Sequence, residues 1–402
     1  MNTKKLVKLT EDLIKFRTVR PVLIGPNCEN KNDKSYSAFN KEIDLCMDHI
    51  IKELDSSIMI EKNECFIGEI SCPILIAKFY NTNKPDLLLL GHIDVVPAES
   101  PQFVPFQESG KLFGRGSKDM KSGVAVMVEI MNYYAKLAKR PNIALAIVSD
   151  EESGGFNGAG KIASLMNYHP KLVITPDPGE EHCIITKEKG FIWFTVDIHG
   201  KSSHPSRPWL GDCAITKAMN LWDEISKEYN LSQNEEDWES SACILDIKRM
   251  RINPDKTLSE DNSTSVSDLV RCRFDIRYTE KQNAEEIKEH ILQIAQKYGC
   301  GNNVCFNNTA PICFTPDSNE LLQKFKIVAD KIEGKEVPLK ASSGASDLRF
   351  FSEKGIPCLN YGPQGKNHHR SDEYVEIQSL ATLFEVLKTY INENFLERTL
   401  DN

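Results

Sequence analysis

Strand and helix patterns alternate along the first part of this 402-residue chain, give way to a different order near residue 188, and resume near residue 310. Strands separated by helices are typical of an α/β sheet that is covered by helices. Between residues 188 and 309 the predicted order is β-α-β-β-α-β, which is the ferredoxin-like arrangement. We therefore predict one α/β domain, formed by residues 1–187 and 310–402, with a smaller domain inserted at 188–309. The polar stretch at residues 253–265 of the insert is predicted to be a loop.

Composition and charge narrow the range of partners and compartments. The net charge is −9 and lysine and arginine are scattered, so no basic stripe predicts binding to nucleic acid. The N-terminal segment has the spacing of an amphipathic helix and no apolar run long enough for a signal peptide or a membrane span. The twelve cysteines are dispersed without any C-x-x-C pair, which favours reduced thiols. These features predict a cytoplasmic protein that binds no membrane.

Ionisable residues follow the predicted strands of the larger domain, at the points where the strands end. The strands are followed in turn by His92 and Asp94, by Glu151 and Glu152, by Asp177, and by His368 and His369. Asp119 stands just before a predicted helix. Ligands bind at the carboxyl ends of strands in open α/β sheets. We therefore expect these side chains to share one edge of the sheet.

The residue types in these clusters indicate a metal site. Neutral imidazoles and carboxylates suit zinc, manganese or cobalt. The candidate ligands are His92, Asp119, Glu152, Asp177 and His369. Five ligands exceed the three that a single catalytic zinc takes from a protein, whereas two metals that share a carboxylate need about that number. We predict two divalent metal ions, with zinc as the first choice and cobalt or manganese as alternatives.

Taken in order, the motifs resemble those of a known enzyme family. H-x-D begins at His92, and G-R-G-x-x-D-x-K-x-G, D-E-E, D-P-G and H-x-x-D-E follow, the last ending at Glu373. This set is similar to that of the di-zinc hydrolases that include acetylornithine deacetylase, succinyl-diaminopimelate desuccinylase, aminoacylase and the glutamate carboxypeptidases. The resemblance implies a zinc-exopeptidase-like α/β catalytic domain with an inserted ferredoxin-like domain that serves as a dimerisation and lid domain.

The resemblance also implies a role for each member of the metal cluster. One metal would be held by His92 and Asp177, the other by Glu152 and His369, with Asp119 bridging the two. The H-x-x-D-E spacing selects His369 rather than His368 as the ligand. By the same resemblance Asp94 orients the imidazole of His92. The peptide bond after Asp119 is expected to be cis.

Glu151 is the candidate general base. A water shared by two cations has its pKa lowered towards ~7, and a carboxylate beside that water can take its proton and later donate it to the leaving amine. Neighbouring side chains diverge, so Glu152 can face a metal while Glu151 faces the water.

Three further residues gain roles from the resemblance alone. His204 matches a histidine that crosses a dimer interface and stabilises the oxyanion in the partner's site, which implies a homodimer. Arg277 matches an arginine that holds a substrate carboxylate, and Gly344 matches a glycine whose loop brings backbone N–H groups close to the substrate. A turn residue at His204 and a solvated strand end at Arg277 remain the alternatives.

The substrate is less well defined than the metal centre. The family's Asn-x-x-Pro-Asp is replaced by residues 264–268, and the glycine pair that usually precedes it is missing. Asp177 is typical of the dipeptidases and aminopeptidases of the family, where the deacylases more often carry glutamate. We predict hydrolysis of the amide bond of an N-acyl amino acid, with a dipeptidase or carboxypeptidase acting on short peptides as the alternative. A catalytically silent binding protein with the same fold is the rival of another class.

Overall fold

The computed structural model describes residues 3–20, 34–177, 179, 181–234 and 237–396. The α-helices of these ranges are α1 Thr3–Lys15, α2 Lys34–Glu53, α3 Lys121–Ala135, α4 Ala159–Ser164, α5 Ala214–Tyr229, α6 Ala284–Lys297, α7 Glu320–Glu333, α8 Arg349–Ser352 and α9 Ile377–Asn394. Short 3₁₀ helices are Ser100–Phe103, Glu151–Ser153, Pro208–Leu210 and Gly301–Asn303. Pro178, part of the D-P-G motif, lies outside the described residues.

The strands complete the inventory of the described ranges. They are β1 Met59–Asn63, β2 Phe66–Ile67, β3 Ile70–Ser71, β4 Ile74–Lys78, β5 Leu87–His92, β6 Phe106–Glu108, β7 Lys111–Phe113, β8 Ile143–Val148, β9 Leu172–Thr175, β10 Ile184–Glu188, β11 Gly190–His199, β12 Ser241–Ile252, β13 Leu258–Glu260, β14 Leu269–Tyr278, β15 Val304–Ala310, β16 Cys313–Phe314, β17 Leu339–Ser342, β18 Cys358–Asn360, β19 Gly365–Lys366 and β20 Tyr374–Glu376. In the same ranges no helix combines the length and apolar composition that a membrane crossing requires.

The chain divides into two compact units. The first comprises Met1–Lys187, Cys313–Ser342 and Ser346–Asn402, and the second comprises Glu188–Ile312 and Ser343–Ala345. Both units mix helices with sheets, and the second interrupts the sequence of the first. The predicted fold class is therefore confirmed.

The first unit is built on a nine-stranded sheet. Its order is β1-β4-β8-β5-β9-β18-β10-β16, and β17 pairs with β10. The central strands β8, β5, β9 and β18 run parallel to one another, and β4 is antiparallel to β8. A four-stranded sheet of order β19-β20-β7-β6 also belongs to this unit.

The leucine run of β5 shows why the central strands consist of unbroken apolar sequence. Leu87 and Leu89 lie in a core with residues of α1, α2, α3, α7 and α9, whereas Leu88 and Leu90 lie in a second core with residues of α4 and α8. Successive side chains of a strand point to opposite faces, so a strand covered on both faces must be apolar at every position. The parallel pairing then brings the carboxyl ends of β8, β5 and β9 to one edge of the sheet.

The second unit has the predicted ferredoxin-like topology. Its sheet has the order β13-β12-β14-β11-β15, and the pairs of β11, β12, β14 and β15 are all antiparallel. The helices α5 and α6 contribute to a single core with the strands, in which the rings of Phe194 and Phe274 stack with centroids 4.9 Å apart.

The predicted loop at residues 253–265 is wrong in part. Leu258–Glu260 form β13, which pairs with the end of β12 so that Ile252 faces Leu258. A turn closed by the N–H of Asn253 donating to the carbonyl of Thr257 joins the two strands. The stretch is polar because this hairpin is largely exposed, so its composition hid a strand that is defined by backbone hydrogen bonds.

Candidate metal centre

His92 is buried at the carboxyl end of β5, with 1% of the residue exposed. Its Nδ1 lies 3.0 Å from the backbone oxygen of Asp94 and 3.6 Å from Oδ1 of the same residue. A carbonyl oxygen accepts and never donates, so Nδ1 carries the proton and Nε2 is the ring nitrogen presented to the site. That Nε2 lies 3.1 Å from Oδ1 of Asp119.

Asp119 stands at the centre of the cluster. Its Oδ1 faces His92, and its Oδ2 lies 3.1 Å from Nε2 of His369. Burial raises the pKa of Asp119, but the hydrogen bonds with His369 and His92 outweigh it and hold the pKa well below its usual range. The peptide bond from Asp119 to Met120 is cis, as predicted.

Glu152 and His369 close the other side of the cluster. Oε1 of Glu152 lies 3.3 Å from Nε2 of His369. The backbone of His369 has φ of 63°, in the left-handed region that residues with a side chain rarely adopt, and such outliers cluster at functional sites. Hydrogen bonds with Asp119 and Glu152 raise the pKa of His369 to about 10.

Two sets of donor atoms share Asp119. The ligand atoms of His92, Asp119 and Asp177 lie within 4.8 Å of one another, and so do those of Asp119, Glu152 and His369. The backbone carbonyl of Asp177 accepts a hydrogen bond from the side-chain amide of Asn360 in β18. Three carboxylates and two imidazoles in two overlapping groups form a donor set that fits a pair of divalent cations.

Glu151 lies in the 3₁₀ helix that follows β8. Burial raises its pKa well above the usual range, His92 opposes that shift, and the charges of Asp347, Asp177 and Glu152 reinforce it. A carboxylate with a raised pKa is a stronger base than an ordinary glutamate. The site contains a fourth carboxylate, which lies outside the two donor groups.

The pattern of the Peptidase family M20/M25/M40 matches residues 88–393. This span includes the whole cluster and the inserted unit, and it is more than half of the chain. The chain belongs to this family.

Similar proteins of the M20 family are known by name and by structure. Succinyl-diaminopimelate desuccinylase of Pelagibacter ubique is 27% identical over 414 residues, which cover 97% of this chain and 100% of the relative. The protein of the same name from Acinetobacter baumannii is 27% identical over 78% of this chain and 84% of its own length. Aminopeptidase PepT from Bacillus cereus superposes with a TM-score of 0.70 at 20% identity, over 98% of this chain and 99% of that one.

A dipeptidase, Dug1p of Saccharomyces cerevisiae, has the same fold, with a TM-score of 0.68 at 12% identity over 96% of this chain and 95% of that one. Membership of the M20 family, together with the donor cluster, confirms the predicted class of enzyme. The protein is a metal-dependent hydrolase of amide bonds.

Three residues assigned to the site by resemblance lie in the second unit of this M20 enzyme. Nδ1 of His204 lies 2.7 Å from the hydroxyl of Ser206 and accepts the backbone N–H of that residue at 3.2 Å. Arg277 forms a bidentate ion pair with Asp275, with Nε and Nη2 each 2.9 Å from a carboxylate oxygen. Gly344 lies in the short segment Ser343–Ala345.

Sequence reasoning gave no role to two buried acids of the first unit. Glu373 is 1% exposed, and its carboxylate accepts the backbone N–H of Asp119 at 3.2 Å. Asp347 is 5% exposed, and neither of its oxygens has a hydrogen-bond partner among the described residues. Burial raises the pKa of Asp347 to about 7 against the opposing charge of Arg349. Sequence signals existed for both, because the H-x-x-D-E motif contains Glu373 and the G-x-x-D pattern that begins at Gly344 ends at Asp347.

Proposed function

We propose that the protein is a two-zinc hydrolase that removes the acyl group of an N-acyl amino acid. The observation that carries the proposal is the position of Asp119, one oxygen of which faces His92 and the other His369. In this assignment His92 and Asp177 would hold one ion, Glu152 and His369 would hold the other, and Asp119 would serve both. Cobalt and manganese are the alternatives that the same donors accept.

Glu151 is the proposed general base. When bound, the metal ions lower the pKa of the attacking water and polarise the scissile carbonyl. Glu151 takes the proton of that water, holds it, and delivers it to the leaving amine. Its position supports this role, because Glu151 adjoins Glu152 in the chain and lies outside the two donor groups, so its carboxylate is free of a ligand role.

The names of two relatives support an N-acyl amino acid as the substrate. Both are called succinyl-diaminopimelate desuccinylase, and one aligns over nearly the whole chain. We assign the free carboxylate of the substrate to Arg277; its Nε and Nη2 are paired with Asp275, so the substrate would bind through Nη1. We assign the loop at Gly344 to the substrate side as well.

A dipeptidase is the second candidate, and Asp177 favours it. The structures of Dug1p and of human carnosine dipeptidase 1, at TM-scores of 0.68 and 0.66, agree with either activity because they show the fold alone. The replacement of the family's Asn-x-x-Pro-Asp at residues 264–268 leaves the choice between the two substrates to an assay.

His204 is the proposed donor to the oxyanion. Its Nδ1 accepts the N–H of Ser206, so the proton of the neutral ring sits on Nε2, which is then available to donate. We propose that this histidine acts in the partner subunit of a homodimer. In this proposal residues 188–309 form the dimerisation and lid domain, and residues 1–187 and 310–402 form the catalytic domain. The eleven cysteines in the described ranges are free thiols, which supports a cytoplasmic location.

The test is a substrate panel assayed with metal-free and reconstituted protein. N-acetyl and N-succinyl amino acids are compared with dipeptides, each before and after removal of the metal by a chelator and addition of zinc. We expect zinc-dependent hydrolysis of the N-acyl compounds, with kcat/KM at least tenfold above that for dipeptides. The opposite ratio selects the dipeptidase. Full activity in metal-free protein contradicts both candidates.

A further inference from the structure

Glu373 connects the backbone of Asp119 to the loop that carries His369. It lies immediately before β20, which pairs with β7. Oε1 of Glu373 accepts the backbone N–H of Lys118 at 2.9 Å and that of Asp119 at 3.2 Å. Oε2 accepts a charge-assisted hydrogen bond of 2.5 Å from Nη1 of Arg115. One carboxylate therefore binds three groups of the segment that leads into Asp119.

These hydrogen bonds fix the peptide unit between Lys118 and Asp119. Rotation of that unit would break bonds to an ionised acceptor, which are stronger than bonds between neutral groups. Glu373 and Arg115 are 1% and 3% exposed, so water does not replace a lost bond. The direction in which Asp119 presents its carboxylate follows from this peptide unit, because its Cα is the next atom along the chain.

Additional contacts tie the two loops together. The N–H of Gly114 donates to the backbone oxygen of Glu373 at 3.2 Å, and the side-chain amide of Gln102 donates to the backbone oxygen of Arg370 at 3.1 Å. The backbone oxygen of Gln102 in turn accepts the N–H of Arg115 at 2.8 Å, so the segment around His369 is attached to the segment before Asp119 directly through Glu373 and indirectly through Gln102.

We propose that Glu373 is a positioning residue that sets the separation of Asp119 and His369, and with it the affinity of the metal site that these two residues form with Glu152. The inference rests on the proposed metal centre. The other site depends less on Glu373, because His92 is held by the backbone oxygen of Asp94 and Asp177 by Asn360. Asp119 serves both sites, but only this site also takes His369 from the loop that contains Glu373, so loss of Glu373 weakens this site more than the other.

The experiment titrates metal-free protein with cobalt(II) alone, without substrate. Binding is followed by calorimetry and by the visible absorption of the bound ion, in the wild type, in Glu373→Gln and in the control Glu333→Gln. Glu333 is a partly buried acceptor, bonded by His182 at 2.9 Å and by Tyr361 at 2.8 Å, but it contacts no residue of the metal cluster in these bonds. The control therefore measures the general effect of neutralising a hydrogen-bonded glutamate in the same unit.

We expect two cobalt ions per chain in the wild type and in Glu333→Gln. In Glu373→Gln the ion at the site of His369 and Glu152 should bind about 10–100-fold more weakly, with an altered absorption band. The ion at the site of His92 and Asp177 should keep its affinity within threefold. If Glu373→Gln does not fold, as judged by circular dichroism, Glu373→Asp takes its place, because its carboxylate is retracted by one methylene, and the same selective weakening is expected.

Two results would overturn the inference. Wild-type affinity at both sites in the folded variant shows that Glu373 does not position Asp119, and equal weakening of both sites shows that its effect is not selective. Wild-type protein that binds fewer than two cobalt ions overturns the proposed metal centre and this inference with it. Failure of the inference alone leaves wild-type binding intact, so the two failures are distinguishable.

Discussion

The carboxylate of Asp94 accepts the backbone N–H of Glu152, with 3.1 Å between Oδ2 and the nitrogen. The two residues follow β5 and β8, which are adjacent and parallel. Asp94 also positions His92 through its own backbone oxygen. One aspartate thus orients a histidine by its main chain and fixes the segment of a glutamate by its side chain.

Asp94→Ala should weaken metal binding by about 10–100-fold, because Glu152 loses the acceptor of its backbone N–H and His92 loses the charge of Oδ1, 3.6 Å from its Nδ1. Asp94→Asn should recover most of that loss, since its amide oxygen still accepts the N–H of Glu152. Affinity is measured by competition with a chromogenic zinc chelator. Equal losses in the two variants would show that the charge of Asp94, rather than its hydrogen bond to Glu152, supports the site.

Glu151→Gln should lower kcat by about 10²–10⁴-fold and leave zinc content unchanged, because the amide takes up no proton at neutral pH. Glu129→Gln is the matched control: Glu129 is 9% exposed, pairs with Lys5, and accepts a hydrogen bond from Asn132. The measurement is steady-state turnover together with metal analysis of the same samples. Near-normal kcat in Glu151→Gln removes it as the base.

Metal binding should release protons. In metal-free protein the pKa of His369 is about 10, raised by Asp119 and Glu152, so this ring is protonated at pH 7. A metal ion requires the lone pair of Nε2, and it therefore displaces that proton. For each proton released, the apparent affinity for the metal should fall about tenfold with every pH unit below the pKa of His369.

Calorimetry in buffers of different ionisation enthalpy counts the released protons. We expect at least one at pH 7, and about one fewer in His369→Asn. Binding enthalpies that do not depend on the buffer would contradict this prediction.

Gly123→Ala should disturb the Asp177 side of the centre. A Cβ at this position of α3 would lie 2.6 Å from the carbonyl oxygen of Pro176, the residue before Asp177. Relief of this contact moves backbone, so we expect a loss of about 1–3 kcal/mol in the free energy of unfolding and weaker zinc binding.

Ser122→Ala is the control in the same helix, because the buried hydroxyl of Ser122 has no hydrogen-bond partner among the described residues. Its removal should leave both quantities within about 0.5 kcal/mol of the wild type. Denaturant unfolding and chelator competition test the pair of variants. A stable Gly123→Ala with wild-type zinc affinity would be inconsistent with the contact to Pro176.

Mixed subunits test whether His204 acts in the partner. Glu151→Gln and His204→Ala are each expected to be inactive as homodimers. A mixed dimer holds one site with both residues intact, so activity should return towards a quarter of the wild-type value when equal amounts exchange fully, since half of the dimers are mixed and each has one working site. Absence of recovery, when labelled subunits demonstrably exchange, would leave His204 as a structural residue.

The architecture could be predicted from the sequence because burial on both faces of a strand requires an unbroken apolar run. Leu87–Leu90 met that requirement, and the clusters at His92, Glu151 and Asp177 marked where the strands ended. Parallel pairing then placed these residues at one edge of the sheet. The ferredoxin-like order of the insert could be predicted equally well, because each of its helices and long strands has the hydrophobic periodicity of its type.

Short or exposed elements could not be predicted from the sequence in the same way. β13 has a single apolar residue, Leu258, and it exists because the N–H and carbonyl groups of a neighbouring strand are available to it. The pairing of β20 with β7 likewise joins residues far apart in the chain. Local sequence indicates which secondary structure the side chains prefer. It does not indicate which distant segments pair through their backbones.

By itself, the sequence determined which residue types meet at the sheet edge, because strand ends and motif spacing are local properties of the chain. Only the tertiary structure decided how those residues are held. The bond from Asp119 to Glu373 spans 254 positions, and the burial that leaves the oxygens of Asp347 without partners depends on packing around it. Such contacts arise when distant segments fold against each other. A hydrogen bond of about 3 Å depends on that packing and not on the residues adjacent in the sequence.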